Sequence, residues 1–585
     1  MAALAILLAA IVFGGVHFIA SGAPLAAPPL EHVRLGPCPS PPCEETLLRV
    51  PFSPPLNLRL NVAGTTGPAF QAQWAVAQLP VIRDDYPAPA STSKNKSAYL
   101  FDCRSCQGEV EIGLRLLGAS AFESERIEVT TESIWAELSE CLLISLPLLV
   151  LLAVIVIFAP AKAAAFSMLL LGVLLLYLLF APAPKSGQGG DNKFYVPAAY
   201  QLVRHGSFGL GEYAGRNSLS PYSNLFRTPD GHKVNYYPAA VSVAIAPLVA
   251  WSEIWNPPEE RLAETIAKIM AAASVAVLFL VCRRLGIGTG GSLLLAGAFA
   301  FSTSQFSIHA GGLYSHNVTT LLSMAAIWLL VAQPRLMPVL LAGVCVAGFA
   351  CRHDFAFLIL GCCVTLAGHS IRRLLIYLAT MALLVLPVLY GFHELYGQWL
   401  PPYLMDHKAG KVTFDNLVAL AGLLASPNRG LLLFSPVLAL GFVQAVRVLL
   451  WHRGRDSLEL GLSISAVAFL LVLSTYEMWW GGWSYGPRLF CGLLGPLMVL
   501  TALFIRDSLA NGAHRTVKMS VFVLLVLWGV VVNGKGALVG DNWNGTPLDV
   551  NDHPERLWDV SDLQITRNSF LVPIKLNGLL KAFLP

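Results

Sequence analysis

Long apolar runs recur along this chain, and no other feature restricts its fold as much. From Ala163 to Phe180 the sequence is almost unbroken hydrocarbon, enough to cross a bilayer, and Pro182, Pro184 and Lys185 end the run. Matching such runs to bilayer thickness predicts about thirteen spans. They lie near 2–21, 141–159, 163–183, 262–282, 288–303, 315–332, 336–351, 354–368, 372–392, 430–451, 458–475, 487–505 and 517–535. With 55% hydrophobic and 13% charged residues over 585 positions, and a mean hydropathy of +0.62, the composition is that of an all-α polytopic membrane protein. A formal charge of +4 is too small to argue for a nucleic-acid partner.

Charge divides the connections into two sets. The short ones are basic and carry Lys162, Arg283, Arg284, Arg335, Arg372, Arg373, Arg453, Arg455, Arg506, Arg515 and Lys518, which the positive-inside rule assigns to the cytoplasm. The longer ones are rich in Trp, Tyr, Gly and Pro, contain Asp191, and are expected to face outward. The two sets alternate correctly along the chain. This predicts a multi-pass protein of the inner (plasma) membrane with its polar chemistry on the extracytoplasmic, periplasmic side.

Four regions follow. Residues 1–21 read as a membrane anchor or a signal sequence, since Met1–Ala20 has no basic n-region. Residues 22–138 read as an extracytoplasmic β-rich domain, with strand character at Thr46–Val50, Asn57–Val62, Gln71–Ala77, Glu109–Leu116 and Arg126–Thr131 and a small β-sandwich as the natural fold. Four of the eleven cysteines, Cys38, Cys43, Cys103 and Cys106, sit there, as disulfides or as a zinc set. Residues 139–535 form the transmembrane part, with a long outer segment at 184–261; within it the run from Tyr236 to Trp251 is expected to lie at the outer interface. Residues 536–585 form an outer tail.

The outward set carries the candidate chemistry. Asp191 lies a few residues beyond the end of a membrane helix, where a carboxylate can take a proton from a hydroxyl of a substrate at the membrane surface. Arg488 stands where a helix enters the membrane on the non-cytoplasmic side, against the usual charge bias, and a guanidinium matches phosphate in two-point geometry. Arg429, Lys411 and Lys408 add cations on the same face. Tyr195, Tyr237, Tyr314, His316, Arg352, Asp354, Trp480, Trp483 and Tyr485 are the candidates for substrate contact, aromatic faces suiting the C–H surfaces of sugars. Each also has a structural reading: the tryptophans as an interface belt, Arg352 and Asp354 as a pair bracing their turn. An acid, several cations and aromatic platforms on one face describe glycosyl transfer from a lipid-phosphate donor. No P-loop, Rossmann fingerprint, HExxH or GxSxG stands in a working context, which argues against nucleotide-dependent chemistry on the cytoplasmic face.

Four stretches carry a family resemblance: Asp191-Asn192-Lys193-Phe194-Tyr195 with Ala198, Ala199, Leu202 and Gly206; Tyr237-Pro238-Ala239-Ala240 through Pro247-Leu248; Arg429-Gly430-Leu431-Leu432 with Phe434-Ser435-Pro436; and Trp480-Gly481-Gly482-Trp483-Ser484-Tyr485-Gly486-Pro487-Arg488. On these, roughly 163–540 resembles the GT-C superfamily of integral-membrane glycosyltransferases, in its protein-mannosyltransferase-like branch. The resemblance implies a polyprenyl-phosphate-linked sugar as donor and a lipid, glycan or protein as acceptor. It implies Asp191 as catalytic base with inversion at the anomeric carbon, and Arg488, then Arg429, on the leaving phosphate. The family's second acid in the next outer loop is replaced here by Tyr314, Ser315 and His316. No cofactor follows; a divalent metal, if used, would take Asp191 and His316. A transporter or flippase of lipid-linked glycans and a non-catalytic membrane scaffold remain the alternatives. A transporter is expected to carry mid-span charges or repeated halves, whereas the ionisable residues here cluster at the outer ends.

Overall fold

The computed structural model describes residues 30–37, 43–52, 56–66, 70–76, 82–83, 96–101, 108–116, 122–133, 161–180, 193–211, 225–254, 259–406, 415–451, 456–510, 514–538, 543–545 and 548–566. The predicted spans at 2–21 and 141–159, together with Asp191, Lys408, Lys411, Cys38, Cys103 and Cys106, lie outside these residues.

The N-terminal part holds β1 (Leu30–Leu35), β2 (Cys43–Phe52), β3 (Leu56–Thr66), β4 (Phe70–Val76), β5 (Ile82–Arg83), β6 (Lys96–Phe101), β7 (Gly108–Leu116) and β8 (Phe122–Ser133). They form two antiparallel four-stranded sheets, ordered β1-β8-β3-β6 and β2-β7-β4-β5. The five predicted runs fall on β2, β3, β4, β7 and β8. Each sheet buries an isoleucine completely, Ile127 opposite Val62 in one and Ile112 opposite Trp74 in the other.

Every predicted run from 163–183 onward is helical. The helices are α1 (Ala161–Phe180), α2 (Tyr195–His205), α3 (Ala240–Ser252), α4 (Glu259–Arg284), α5 (Thr289–Phe301), α6 (Ser315–Ala332), α7 (Met337–Cys351), α8 (Ala356–His369), α9 (Ile371–Tyr396), α10 (Asp415–Ala425), α11 (Pro436–Trp451), α12 (Ser457–Leu473), α13 (Leu494–Ala510) and α14 (Arg515–Leu538). A small hairpin, β9 (Leu225–Arg227) and β10 (Lys233–Asn235), precedes α3. Among the described residues five helices are long and apolar enough to cross a membrane: α4, α6, α9, α14 and α13 with the 3-10 turn before it. The other predicted spans that fall within the described residues are shorter apolar helices. The segment 393–429, expected as loop, contains the apolar helix α10, whose Gly422 lies under the Trp479 ring.

Basic residues meet at one end of the bundle. Arg283 donates to the Ile287 carbonyl at 2.6 Å, Arg373 to Gln333 Oε1 at 2.9 Å and Lys518 to the Ser508 carbonyl at 2.9 Å, while Arg506 lies 3.5 Å from the Leu285 carbonyl. Four turns distant in sequence therefore share one end. The starts of α2, α6 and α8 and the 3-10 turn before α13 belong to the other.

Small residues set the closest crossings. Helices α8 and α12 pack along their length, and a Cβ at Gly361 would sit 2.7 Å from the Gly461 carbonyl oxygen. Backbone approach of this kind suits helices in lipid, where close van der Waals packing replaces the hydrophobic drive. Gly461→Val should cost about 1–3 kcal/mol through overpacking, read as a lowered unfolding temperature of the detergent-solubilised chain, whereas Gly343→Val, which meets open space, should not.

Candidate active site

At the end away from the basic turns, five separate segments converge. Helix α7 stops at Cys351; Arg352 is extended, and His353–Phe355 forms a 3-10 turn into α8. The Arg352 Nε donates to Asp354 Oδ2 at 2.8 Å and its Nη1 to Ser315 Oγ, the first residue of α6, at 3.2 Å. Burial works against the Arg352 charge, but the Asp354 carboxylate together with the Tyr403 and Tyr195 hydroxyls outweighs burial and raises its pKa, so the guanidinium stays charged. The carboxylate in turn packs on the 3-10 segment Arg488–Leu493, where a Cβ at Gly492 would lie 3.1 Å from Asp354 Oδ2. The side chain of Thr320 donates to the Cys491 carbonyl at 3.2 Å and fastens α6 to that segment.

Tyrosines surround the ion pair. Tyr195, the first residue of α2, is fully buried, and burial together with the neighbouring Tyr237 raises its pKa. Helix α2 is held there by α3 through Ser242 Oγ to the Tyr195 carbonyl (2.9 Å), Tyr200 with Ser252 (3.2 Å) and Arg204 with Glu253 (2.7 Å). Tyr237 arrives from the β9–β10 hairpin. Tyr396 at the end of α9 donates to its carbonyl and accepts from the Ala239 N–H, both at 3.1 Å. The Tyr237 and Tyr403 rings lie 4.9 Å apart between centroids, with Tyr236 edge-on to both. His353 contacts Tyr403 and the Tyr476 hydroxyl, the latter at 3.2 Å. Beside these rings a groove lined by Pro238, Phe349, Ala350, Phe392, Leu400 and Pro401 shares His353 and Tyr403 with the polar cluster.

Tyr314 precedes α6, and the Arg488 guanidinium lies over its ring at 5.0 Å. His316 is buried beside His309, their ring centroids 6.3 Å apart, and among the described residues Nδ1 of His316 has no partner. Burial pushes His309 down to about 3, so this ring is neutral, and its Nδ1 pairs with Gln305 Oε1 at 2.7 Å. Among the described residues no three His, Cys, Asp or Glu side chains come together as a metal site. Of the metal ligands expected from the sequence, only His316 is described.

The expected residues thus divide into three groups. Tyr195, Tyr237, Arg352 and Asp354 form one cluster, with Tyr314, His316 and Arg488 alongside. Arg429, Trp480, Trp483 and Tyr485 do not join it; the first three bind the C-terminal tail and the loop beneath it, and Tyr485 binds α14. Arg429 donates from Nε to the Trp480 carbonyl, from Nη1 to the Asn428 carbonyl and Gln564 Oε1, and from Nη2 to the Gly482 carbonyl and Asn544 Oδ1. All five of its N–H groups are engaged, which leaves none for the phosphate expected from the sequence. Trp480 donates to Asn551 and Trp483 to Asp549, while the Tyr485 hydroxyl donates to the Val532 carbonyl. Asp191, Lys408 and Lys411 are outside the described residues. Sequence reasoning missed Tyr403 and Tyr476; Gly397 (φ 71°) ending α9 and Pro401-Pro402 before Tyr403 were the signal for a chain returning to the bundle.

No family model and no curated protein matches the chain. Solved structures do. An oligosaccharyltransferase of Archaeoglobus fulgidus in complex with Zn and sulfate is 13% identical at a TM-score of 0.42, over 69% of this chain and 59% of that one. The same enzyme tethered to an acceptor peptide is 12% identical at 0.40, over 70% and 61%. The complex with an inhibitory peptide and a dolichol-phosphate gives the same figures, 12% and 0.40, over 70% and 61%. This chain therefore spans about three fifths of theirs. Likeness of this degree leaves the chemistry to the residues.

Removing one partner of the buried pair leaves an uncompensated charge. Arg352→Ala or Asp354→Asn should each cost about 3–5 kcal/mol, and Arg352→Met with Asp354→Leu should recover most of it, measured as thermal unfolding in detergent.

Proposed function

We propose that this chain is a membrane glycosyltransferase of the GT-C type. It moves a sugar from a polyprenyl-phosphate donor to an acceptor hydroxyl at the end of the bundle opposite the basic turns. By the positive-inside rule that end is periplasmic, at the inner membrane. The observation that carries the reading is the buried Arg352–Asp354 pair ringed by Tyr195, Tyr237 and Tyr403, with the Arg488 guanidinium on Tyr314 alongside. Cations and tyrosines gathered at one membrane-facing end suit a sugar held on a lipid phosphate.

In this reading Asp191 takes the proton from the acceptor hydroxyl as its oxygen attacks the anomeric carbon. The bond from that carbon to the phosphate oxygen breaks, its electron pair leaves with the polyprenyl phosphate, and the anomeric centre inverts. In sequence Asp191 stands two residues before the Lys193–Phe194 turn. That turn opens α2, whose first residue is Tyr195. Arg352 is neutralised by Asp354, so Arg488, stacked on Tyr314, is the cation that would meet the leaving phosphate. Tyr195 and Tyr237 supply a buried hydroxyl and a ring face for the sugar. A lipid, a glycan or a protein can offer the acceptor hydroxyl, and Lys408 and Lys411 would add positive charge near the donor.

Surface glycans and glycolipids of a deletion strain, compared by mass spectrometry, test this. Wild type should restore a missing sugar, and Asp191→Asn at matched protein level should lower transfer about a hundredfold to ten-thousandfold. Full restoration by Asn would remove Asp191 as base and favour transport or scaffolding.

A further inference from the structure

The loop that carries Arg488 has almost no means of holding its own shape. Gly481, Gly482 and Gly486 all have positive φ, at 77°, 67° and 63°. Three such residues give a chain many accessible conformations and no side chain with which to select one. Arg429 holds the carbonyls of Trp480 and Gly482, the Val532 carbonyl holds Tyr485, and the C-terminal tail sets the turn next to Arg488. Gln564 is fully buried, and its Oε1 accepts from the Gly486 N–H at 3.0 Å and from Arg429 Nη1 at 2.6 Å. Its Nε2 donates to the Ser484 carbonyl at 3.0 Å, and its own N–H donates to Asn428 Oδ1 at 2.7 Å. One side chain thus grips the backbone on both sides of Tyr485, three residues before Arg488, whose N–H closes back on the Gly486 carbonyl at 3.0 Å.

The tail is itself fastened. Asn428 Nδ2 donates to the carbonyls of Arg556 and Asp559, Ser426 Oγ donates to that of Leu557, and Lys535 Nζ to that of Ile565. Trp543 is fully buried between the guanidinium groups of Arg429 and Arg556, at 5.2 and 4.4 Å. This is more than a surface strap requires; it makes a rigid template against which a glycine loop is set.

We propose that the tail, through Gln564, is the positioning element that sets Arg488 for the donor phosphate. The role of Arg488 in this statement rests on the function proposed above. Gln564→Met keeps length and bulk and removes all three side-chain hydrogen bonds, whereas Gln564→Glu keeps both acceptor contacts. In the full-length chain in detergent, Gln564→Met should speed hydrogen exchange across Trp480–Phe490 about tenfold, with Gln564→Glu close to wild type. Native mass spectrometry with undecaprenyl monophosphate as probe should show affinity reduced about tenfold in both Arg488→Ala and Gln564→Met. If Gln564→Met does not accumulate, Gln564→Asn, one methylene shorter, should move both readouts in the same direction. Unchanged exchange overturns the proposal, as does wild-type binding by Gln564→Met where Arg488→Ala binds weakly. Wild-type binding by Arg488→Ala instead overturns the donor reading, and the exchange data alone then decide whether the tail shapes the loop.

Discussion

A guanidinium among apolar helix ends must find compensation, and Arg352 finds it in Asp354 at 2.8 Å, both side chains only 10% exposed. Desolvating each ion costs several kcal/mol, so the pair holds only where geometry and further hydrogen bonds repay that cost. Much of this end of the molecule follows from that requirement. Helix α7 has to end in an extended residue so that Arg352 turns back over the 3-10 step; α6 has to bring Ser315 to Nη1; and glycine at position 492 gives the carboxylate room, since a Cβ there would lie 3.1 Å from it. The tyrosines from α2, the β9–β10 hairpin and the turn after α9 then close around a centre already defined.

Three arginines show three solutions to the same problem. Arg352 is answered by a carboxylate. Arg429 is answered by carbonyl and amide oxygens on all five donors, with Trp543 against its face. Arg488 lies on the ring of Tyr314. A guanidinium whose five donors are all engaged acts as a structural tie, although Arg429 and Arg488 read alike in the sequence as outer cations.

The helical architecture was legible because hydrocarbon thickness and charge asymmetry act on whole segments, and the runs from 163–183 onward all became helices. Helix α10 was hidden because its apolar stretch, Asp415–Ala425, is too short to announce a span. Of the tyrosine and ion-pair cluster, Tyr195, Tyr237, Arg352 and Asp354 could be singled out by their position at helix ends on one face. Tyr403 and Tyr476 could not, since neither stands in a motif and only the fold brings them to Arg352. That Arg429, Trp480 and Trp483 lie apart from the cluster was hidden for a related reason: partners in the tail, such as Gln564 and Asn551, lie 135 and 71 residues away and leave no local mark.

That distance has a consequence for synthesis. The glycine loop waits for Gln564, 78 residues beyond Gly486, before it can close. At about 5–20 residues per second the ribosome needs roughly 4–16 s to cover that interval. During that time the helices around the loop are already available to the membrane while Arg488 is not yet held in place. The centre is therefore completed late, after its own scaffold.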